Sequence, residues 1–262
     1  MNGFDKDGGK SFDSIAELYN KARPSYPDQL VSDLLDLAEM TGSGRILEIG
    51  CGTGQATVLF APYGNQITCL EPGENLAALA EHNLSAYRNV QIVRSKFEDW
   101  HGQENTFDLI ISAQAFHWLD RAVAYKKAAR LLRDSGAIGL LWNRPDEAGA
   151  PYRQAFDDAY ARYAPEISDP QTDDAQEGWI EKWKNEIEAS GLFSAVEVRR
   201  YSWSRSYDTG EYLELIGTYS DHILLSDQKR RALYQGISDE IERLGGSITK
   251  KYMTVLFFAI RL

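Results

Sequence analysis

The sequence predicts an α/β fold, in which a mostly parallel β-sheet is covered by helices on both faces. Short apolar segments alternate with segments of helical periodicity along the first half of the chain, which is the pattern of consecutive β-α-β units. One apolar segment, Phe107–Ser112, is almost continuous, as a parallel strand buried on both faces requires. A chain of 262 residues can bury a full core in one such domain without disulfide bonds.

The first strand is followed by a glycine-rich loop. Residues Arg45–Thr57 read RILEIGCGTGQAT, in which an apolar run and an acid precede Gly50, Gly52 and Gly54. Glycine suits this loop because the backbone must turn sharply and leave room for a ligand where a Cβ atom would clash. The dinucleotide-binding fingerprint requires a further glycine at the position where this chain has Gln55.

A second strand is predicted at Asn65–Glu71, and it ends in an acid. Glu71 follows the glycine loop by the interval expected of a β-α-β unit. A carboxylate at the tip of this strand can accept hydrogen bonds from both hydroxyl groups of a ribose. The alternative is a surface acid that begins the loop at Pro72 and Gly73.

Two more strands precede residues that suit a ligand site. Val90–Val93 leads into the loop Lys96–Trp100, and Phe107–Ser112 forms the fourth strand. In open α/β sheets the ligand crevice lies at the carboxyl ends of the strands. At that edge the fourth strand runs into the polar and aromatic residues Gln114, Phe116, His117 and Trp118.

Together these four segments resemble the class I S-adenosylmethionine-dependent methyltransferases. The pattern E-x-G-x-G-x-G at Glu48–Gly54 is similar to motif I of that family, and the later segments follow in the family's order. The resemblance implies that the loop after the third strand clamps an adenine through Phe97 and Glu98, with Asp99 as a competing acid. It implies S-adenosylmethionine as the cofactor, bound also by Glu48, Gly50, Gly52, Gly54, Glu71 and Gln114.

The N-terminal segment carries a narrower resemblance. Ile15–Leu30 is similar to the lead-in of the subgroup that includes the trans-aconitate and ubiquinone/menaquinone-type methyltransferases. That resemblance implies that Tyr19 and Arg23 fold over the cofactor and contact its methionine carboxylate, for which a guanidinium offers a planar fork of donors. The alternative for Arg23 is a position on a solvated helix face before a proline.

The resemblance also implies the complete architecture, a Rossmann-like sheet of seven strands. The expected order is 3-2-1-4-5-7-6, with strand 7 antiparallel and a helical lid over the carboxyl edge. We expect residues 1–10 to be a flexible tail, residues 11–143 the cofactor-binding core, and residues 144–262 lid helices and final strands of the same domain. The other predicted elements are helices at Pro27–Met40, Ala56–Ala61, Asn75–Ala86, Arg121–Arg133, Thr209–Gly217 and Ser226–Leu244, and strands at Ala137–Asn143, Val196–Ser202 and Tyr252–Arg261, with a turn at Asp134–Gly136.

The implied reaction is an in-line displacement on a sulfonium methyl group. Such a reaction depends mainly on alignment of the reactants, and it needs a general base only when the nucleophile arrives protonated. His117 is the candidate base, because it follows the fourth strand and histidine titrates near neutrality. The alternative is that the Phe-His-Trp sequence only shapes the pocket floor. Trp118, Trp142 and Asn143 are candidate substrate-pocket residues.

Charge and composition restrict the acceptor. The net charge of −11 is spread along the chain and argues against a nucleic-acid partner, which favours a basic surface. The four histidines are not at metal-ligand spacing, so no metal is expected. Cys51 and Cys69 suit buried, reduced thiols, which favours a cytoplasmic location. The longest apolar run, Val255–Ile260, is too short for a bilayer, so no membrane insertion is expected.

The sequence therefore favours methyl transfer to a small-molecule acceptor, with two alternatives. The chain can bind the cofactor without turnover, as a regulatory protein, because the motifs report binding and not chemistry. It can also be an NAD-type oxidoreductase, against which Gln55 and the adenine-loop pattern argue. The sequence carries no signal for the oligomeric state.

Overall fold

A computed structural model describes residues 12–168 and 173–262, although no side chain of residues 173–175 is described. The predicted tail, residues 1–10, lies outside the described residues. A seven-stranded sheet of order β3-β2-β1-β4-β5-β7-β6 forms the centre of the molecule. Its strands are β1 (Arg45–Ile49), β2 (Gln66–Leu70), β3 (Val90–Val93), β4 (Phe107–Ala113), β5 (Leu132–Pro145), β6 (Glu197–Asp208) and β7 (Ser247–Ile260).

Helices cover both faces of the sheet and its carboxyl edge. They are α1 (Ala16–Ala22), α2 (Asp28–Leu37), α3 (Thr57–Phe60), α4 (Glu74–Asn83), α5 (Arg121–Leu131), α6 (Arg153–Tyr163), α7 (Asp173–Ala189), α8 (Thr209–Gly217), α9 (Ser220–Ile223) and α10 (Asp227–Arg243). Short 3₁₀ turns lie at Ala61–Tyr63, Phe116–Trp118 and Pro165–Ile167. Within the described ranges, every helix is too short or too polar to cross a bilayer.

The predicted strand order and direction are confirmed. Strands β1 to β5 pair in parallel, whereas β7 runs antiparallel to both β5 and β6. Strand β5 begins at Leu132, before the predicted start at Ala137. The turn predicted at Asp134–Gly136 is wrong, because these residues lie within β5 where its register against β4 shifts. Ser135 has a φ of 63° there, which is the local distortion that the turn signal indicated.

The central strands are buried on both faces, which explains their continuous apolar sequences. Leu109, Ile110 and Ile111 of β4 are all 0% exposed. Because successive side chains of a strand point to opposite faces, Ile110 packs in one core cluster and Leu109 and Ile111 pack in the other. A third cluster joins the lid helices α6, α8 and α10 to the long ends of β6 and β7.

The lid is positioned by aromatic packing on the sheet. Trp179 and Trp183 of α7 pack on Trp142 of β5, with ring centroids 5.5 and 4.4 Å away. Phe257 of β7 closes this cluster at 5.7 Å from Trp142. These rings therefore attach α7 to the sheet, and they do not line the cavity described below.

Candidate ligand-binding site at the carboxyl edge of the sheet

The glycine loop follows β1 and is fixed against β2. The backbone N–H groups of Gly50 and Cys51 both donate to Leu70 O, at 2.8 and 3.1 Å. Gly50, Gly52 and Gly54 have φ values of 70°, 56° and 84°. A Cβ atom on Gly50 would lie 2.5 Å from the Ala115 side chain, so this glycine is required by packing inside the protein.

Gly52 lies where a ligand can approach the backbone. A Cβ atom at Gly52 would meet only the ring of Tyr19, at 3.8 Å. Its backbone N–H donates to Glu71 Oε2 at 2.9 Å, and Glu71 Oε1 accepts from the N–H of Gly73 at 2.8 Å. Burial raises the pKa of the Glu71 carboxyl, and these two hydrogen bonds oppose the rise. Each carboxylate oxygen keeps a second lone pair, so Glu71 can still accept from a ribose hydroxyl.

Two buried polar atoms beside this loop have no hydrogen-bond partner among the described residues. Glu48 is 1% exposed, and its Oε2 accepts from Thr57 Oγ1 at 2.6 Å, but Oε1 accepts from nothing. The hydroxyl of Thr53, within the loop, is also unpartnered. Burial raises the pKa of the Glu48 carboxyl to about 7; the hydrogen bond from Thr57 opposes the rise and the Glu71 carboxylate adds to it. A cationic group placed here would satisfy Oε1 and hold Glu48 ionised.

The N-terminal segment that contains Tyr19, Arg23 and Ser25, called the N-terminal cover below, lies over the glycine loop. The Gln55 side chain donates to the carbonyls of Asn20 and Arg23 at 3.4 and 3.3 Å, which explains why a glutamine serves where the dinucleotide fingerprint has glycine. The Arg23 guanidinium lies 5.1 Å from the Tyr19 ring centroid and 5.0 Å from that of Tyr219. Its Nη2 donates to Thr218 O at 2.7 Å.

Arg23 therefore links the N-terminal cover to the lid while keeping part of its donor fork available. Its Nε is buried and has no partner within residues 12–168 and 173–262. An anion that bridged Nε and the second N–H of Nη2 would have the planar two-point geometry that carboxylates prefer.

The loop Lys96–Trp100, which is predicted to clamp an adenine, is fixed by hydrogen bonds from a lysine that sequence reasoning missed. Lys127 of α5 donates to the carbonyl oxygens of Phe97, Glu98 and Trp100. The Phe97 side chain is 2% exposed and packs in the core, whereas Glu98 is half-buried beside the crevice. No sequence motif identifies Lys127, because a lysine on a helix normally indicates a solvated face.

His117 lies behind the crevice, in contact with two tryptophans. Trp142 Nε1 donates to His117 Nδ1 at 3.2 Å, and the Trp118 ring lies 4.8 Å away. Burial lowers the pKa of His117 from 6.5 to about 4, and the guanidinium groups of Arg121 and Arg23 contribute to the decrease. The neutral ring therefore carries its proton on Nε2, since Nδ1 already accepts. Trp142 is 4% exposed and Trp118 is 36% exposed.

A cavity of about 350 Å³ opens between the cover, the ends of β4 and β5, and the lid. Four predicted site residues line it, namely Tyr19, Arg23, Gln114 and Asn143. Gln114 has a φ of 57°, a conformation that non-glycine residues adopt mainly where function or packing requires it. Its side-chain amide donates to Asn143 O at 3.1 Å.

Asn143 acts as a positioning residue, because both ends of its side-chain amide bond to the protein, and each end keeps the capacity for one further hydrogen bond. Its Nδ2 donates to Ser25 O at 3.0 Å, and its Oδ1 accepts from Thr254 Oγ1 at 2.5 Å. It therefore joins the N-terminal cover, β5 and β7 at one point. Nine of the predicted residues thus form two groups: Glu48, the three glycines and Glu71 lie around the loop, whereas Tyr19, Arg23, Gln114 and Asn143 face the cavity. The other five predicted residues do not line the cavity, namely Phe97, Glu98, His117, Trp118 and Trp142.

The charged side chains in the far part of the cavity form ion pairs with each other. Lys250, which is 3% exposed, binds Glu147, and Arg153 binds Asp157 at 2.8 Å. Glu147 also accepts from Tyr152 Oη at 3.2 Å. Sequence reasoning missed the charged residues because Lys250 on β7 pairs with Glu147 across 103 positions of the chain; Glu147 follows β5, and Arg153 and Asp157 lie on α6. In the described part of the chain, no group of three or more histidine, cysteine or acidic side chains is placed to hold a metal ion.

Part of the chain is similar to a known family of domains. Residues 47–140 match the family model described as a methyltransferase domain. An uncharacterized methyltransferase of Mycobacterium tuberculosis is 32% identical over 142 residues, covering 54% of this chain and 56% of that protein. A protein of Saccharomyces cerevisiae named "Probable S-adenosylmethionine-dependent methyltransferase" is 30% identical over 135 residues, covering 50% of this chain and 45% of its own. The chain thus spans about half the length of these curated relatives.

Solved structures share the fold over nearly the whole chain. A protein from Anaeromyxobacter dehalogenans, described as a candidate type II methyltransferase, has a TM-score of 0.64 at 22% identity, covering 91% of this chain and 96% of its own. Phosphoethanolamine N-methyltransferase 2 of Haemonchus contortus has a TM-score of 0.53 at 14% identity, covering 97% of this chain and 57% of its own. At these identities the likeness concerns the fold alone.

Proposed function

We propose that this chain, whose core is a class I S-adenosylmethionine-dependent methyltransferase domain, transfers a methyl group from S-adenosylmethionine to a small-molecule acceptor. The domain class and its cofactor, both predicted from the sequence motifs, are confirmed by the family match and by the named relatives. The activity of the whole protein and its acceptor are the proposal.

The observation that carries the proposal is the set of unpartnered polar atoms around the glycine loop. Glu48 Oε1, Thr53 Oγ1 and Arg23 Nε are all buried without partners in the described part of the chain. The amino-acid end of S-adenosylmethionine carries an ammonium and a carboxylate, which match an acidic acceptor and a guanidinium donor. We assign the ammonium to Glu48 and the carboxylate to Arg23, and the ribose hydroxyls to Glu71.

When bound, the cofactor supplies an electrophilic methyl group on a sulfonium. The protein's contribution is alignment and exclusion of water, which can lower a barrier by roughly 7–11 kcal/mol in favourable cases. Gly52 allows the close approach, Tyr19 covers it, and Gln114 and Asn143 define the wall from which the acceptor faces the methyl group. No metal is required by this chemistry.

His117 stays a predicted catalytic residue with a restricted role. In the hydrogen-bonded arrangement with Trp142, Nδ1 of His117 accepts, so its Nε2 carries the proton and can donate to a ligand. We therefore propose that His117 orients the acceptor as a hydrogen-bond donor, and that proton removal at this ring requires the bond to Trp142 to break.

A small acceptor is supported by the enclosure of the cavity. The cavity of about 350 Å³ lies under the cover and the lid, and aromatic and ion-paired side chains form its walls. A folded protein or a nucleic acid would have to reach its reactive group past the cover and the lid, which favours a small acceptor. The trans-aconitate and ubiquinone/menaquinone-type subgroup, a cytoplasmic location and the lack of a nucleic-acid partner remain predictions from the sequence.

Two measurements test the proposal. Calorimetry is expected to detect micromolar binding of S-adenosylmethionine and S-adenosylhomocysteine and no comparable binding of NAD, which separates a methyltransferase from an oxidoreductase. Transfer of label from methyl-labelled cofactor to a component of a metabolite extract separates an enzyme from a cofactor-binding regulator. Binding of NAD without S-adenosylhomocysteine would refute the proposal, and efficient labelling of protein or nucleic acid alone would refute the small-molecule acceptor.

A further inference from the structure

A hydrogen-bonded pair in the lid, Tyr160 and His222, has no part in the cofactor assignments. Tyr160 lies on α6 and His222 on α9, and Tyr160 Oη lies 3.0 Å from His222 Nε2. Both side chains line the cavity together with Arg23, Gln114 and Asn143. The pair therefore faces the space in which an acceptor would bind, on the side opposite the glycine loop.

One nitrogen of this pair lacks a partner. His222 is 1% exposed, and its Nδ1 is buried without a hydrogen-bond partner in the part of the chain that the structure describes. A buried polar atom in this condition costs roughly 1–3 kcal/mol. A ligand group that hydrogen-bonds to Nδ1 would remove this cost, so the unpartnered nitrogen indicates a contact made with a ligand.

The surroundings of His222 keep the pair uncharged. The rings of Tyr160, Tyr219 and Tyr234 lie 5.6, 5.7 and 5.8 Å from the imidazole centroid. Asp221 is exposed, and its Oδ1 accepts the backbone N–H of His222 at 2.9 Å. Burial lowers the pKa of His222 from 6.5 to about 4, with Asp221 opposing the decrease. Burial also raises the pKa of Tyr160 well above 10.

Four of the charged side chains that line the cavity are paired with each other. Lys250 binds Glu147, and Arg153 contacts both Asp157 and Glu147, at 2.8 and 3.5 Å. An anionic group on the acceptor would have to break one of these pairs or compete for Arg23, which is assigned to the cofactor carboxylate, and both are costly inside a protein. Asp221 also lines the cavity and forms no ion pair among the described residues, so a cationic probe is the direct competitor of a hydroxylated one. An uncharged polar group meets no such obstacle at the Tyr160–His222 pair.

We propose that the Tyr160–His222 pair binds an uncharged hydroxyl group of the methyl acceptor, an inference that rests on the function proposed above. A hydroxyl both donates and accepts, so it can bond to Nδ1 in either tautomer of the neutral imidazole. The acceptor class is then a neutral, hydroxylated small molecule that fits a cavity of about 350 Å³.

The test uses protein saturated with S-adenosylhomocysteine and four probes that share one methyl-substituted ring. These are para-cresol, toluene, para-toluate and para-methylbenzylamine, which differ in carrying a hydroxyl, no polar group, an anion and a cation. Ligand-observed NMR titration is expected to give para-cresol an affinity at least about fivefold above each of the others. His222→Phe, which removes Nδ1, is expected to abolish the preference for para-cresol over toluene.

Tyr234→Phe is the matched control, because its hydroxyl is also buried beside His222 but does not line the cavity. This variant is expected to keep the preference, and both variants are expected to bind S-adenosylhomocysteine like the wild type. Preference for a charged probe, absence of para-cresol binding, or a preference that survives His222→Phe would each overturn the subsite. If the wild-type protein itself does not bind S-adenosylhomocysteine, that result would instead refute the proposed function.

Discussion

The buried carboxyl of Glu48 can be tested by changing its charge while keeping its shape. Glu48→Gln retains an oxygen that accepts from Thr57 Oγ1 and replaces the unpartnered oxygen by an amide. The carboxyl has a pKa of about 7 in the folded protein and an ordinary value of 4.5. Between these values the folded state holds a proton that the unfolded state has released, so the stability of the wild type falls as the pH rises.

The size of this decrease follows from the two pKa values. It amounts to about 2.5 kcal/mol between pH 5 and pH 8, and stability changes little above the folded-state pKa. Glu48→Gln removes the titrating group, so the variant is expected to gain about that free energy of unfolding relative to the wild type across this range. The gain belongs to the unliganded protein, in which none of the described residues places a cation beside Glu48.

Urea denaturation without ligand, at several pH values from 5 to 8, measures this difference. Glu181→Gln, the same change at an exposed position on α7, serves as the control and is expected to follow the wild type. The variant is also expected to bind S-adenosylhomocysteine about 1.5–3 kcal/mol more weakly, with methylthioadenosine, which lacks the amino-acid end, unaffected. Parallel stability curves for wild type and Glu48→Gln would refute the buried charge, and equal effects on both ligands would remove Glu48 from the ammonium site.

Four other outcomes are expected. Glu71→Ala is expected to weaken S-adenosylhomocysteine by about 1.5–3 kcal/mol in calorimetry and to destabilise the unliganded protein, because Gly52 and Gly73 lose their acceptor. Arg23→Ala is expected to weaken S-adenosylhomocysteine more than methylthioadenosine, with Arg23→Lys recovering only part; equal losses would exclude the carboxylate contact. His117→Gln is expected to lower the rate of labelled-methyl transfer by less than about a hundredfold, because His117 orients the acceptor and removes no proton. A loss beyond about a hundredfold would support proton transfer by His117. Hydrogen exchange in α6, α8 and α10 is expected to slow most with cofactor and acceptor together, and exchange indifferent to ligands would refute a closing lid.

The sequence predicted the sheet well because the relevant signals are local. Continuous apolar runs such as Phe107–Ser112 identify strands buried on both faces, and the family resemblance supplied the order that the structure confirms. The start of β5 was misplaced because Asp134–Gly136 is turn-like in composition, whereas pairing with β4 draws it into the sheet. The short helix α9 was not predicted, since a single helical turn has no periodicity to detect.

The site was predicted in part, and the remainder depends on contacts across the chain. Gly52 and Glu71 lie together as their motifs implied. The unpartnered oxygen of Glu48 could not be foreseen, because burial and the number of available donors depend on the assembled core. Lys127 lies on α5 and supports the loop Lys96–Trp100, but it has the sequence context of an ordinary surface residue.

The pairing of β5 with β7 beside Asn143 affects how the chain folds during synthesis and whether it can be cut into two fragments. Strand β5 has β7 as its outer neighbour, with Trp142 opposite Val255, and Asn143 itself bonds to Thr254. During synthesis, residues 11–143 leave the ribosome long before this partner strand is available, so a nascent chain carries an apolar β5 with one unpaired edge. An excised core of residues 11–143 is therefore expected to aggregate, and co-expression with residues 144–262 is expected to rescue it.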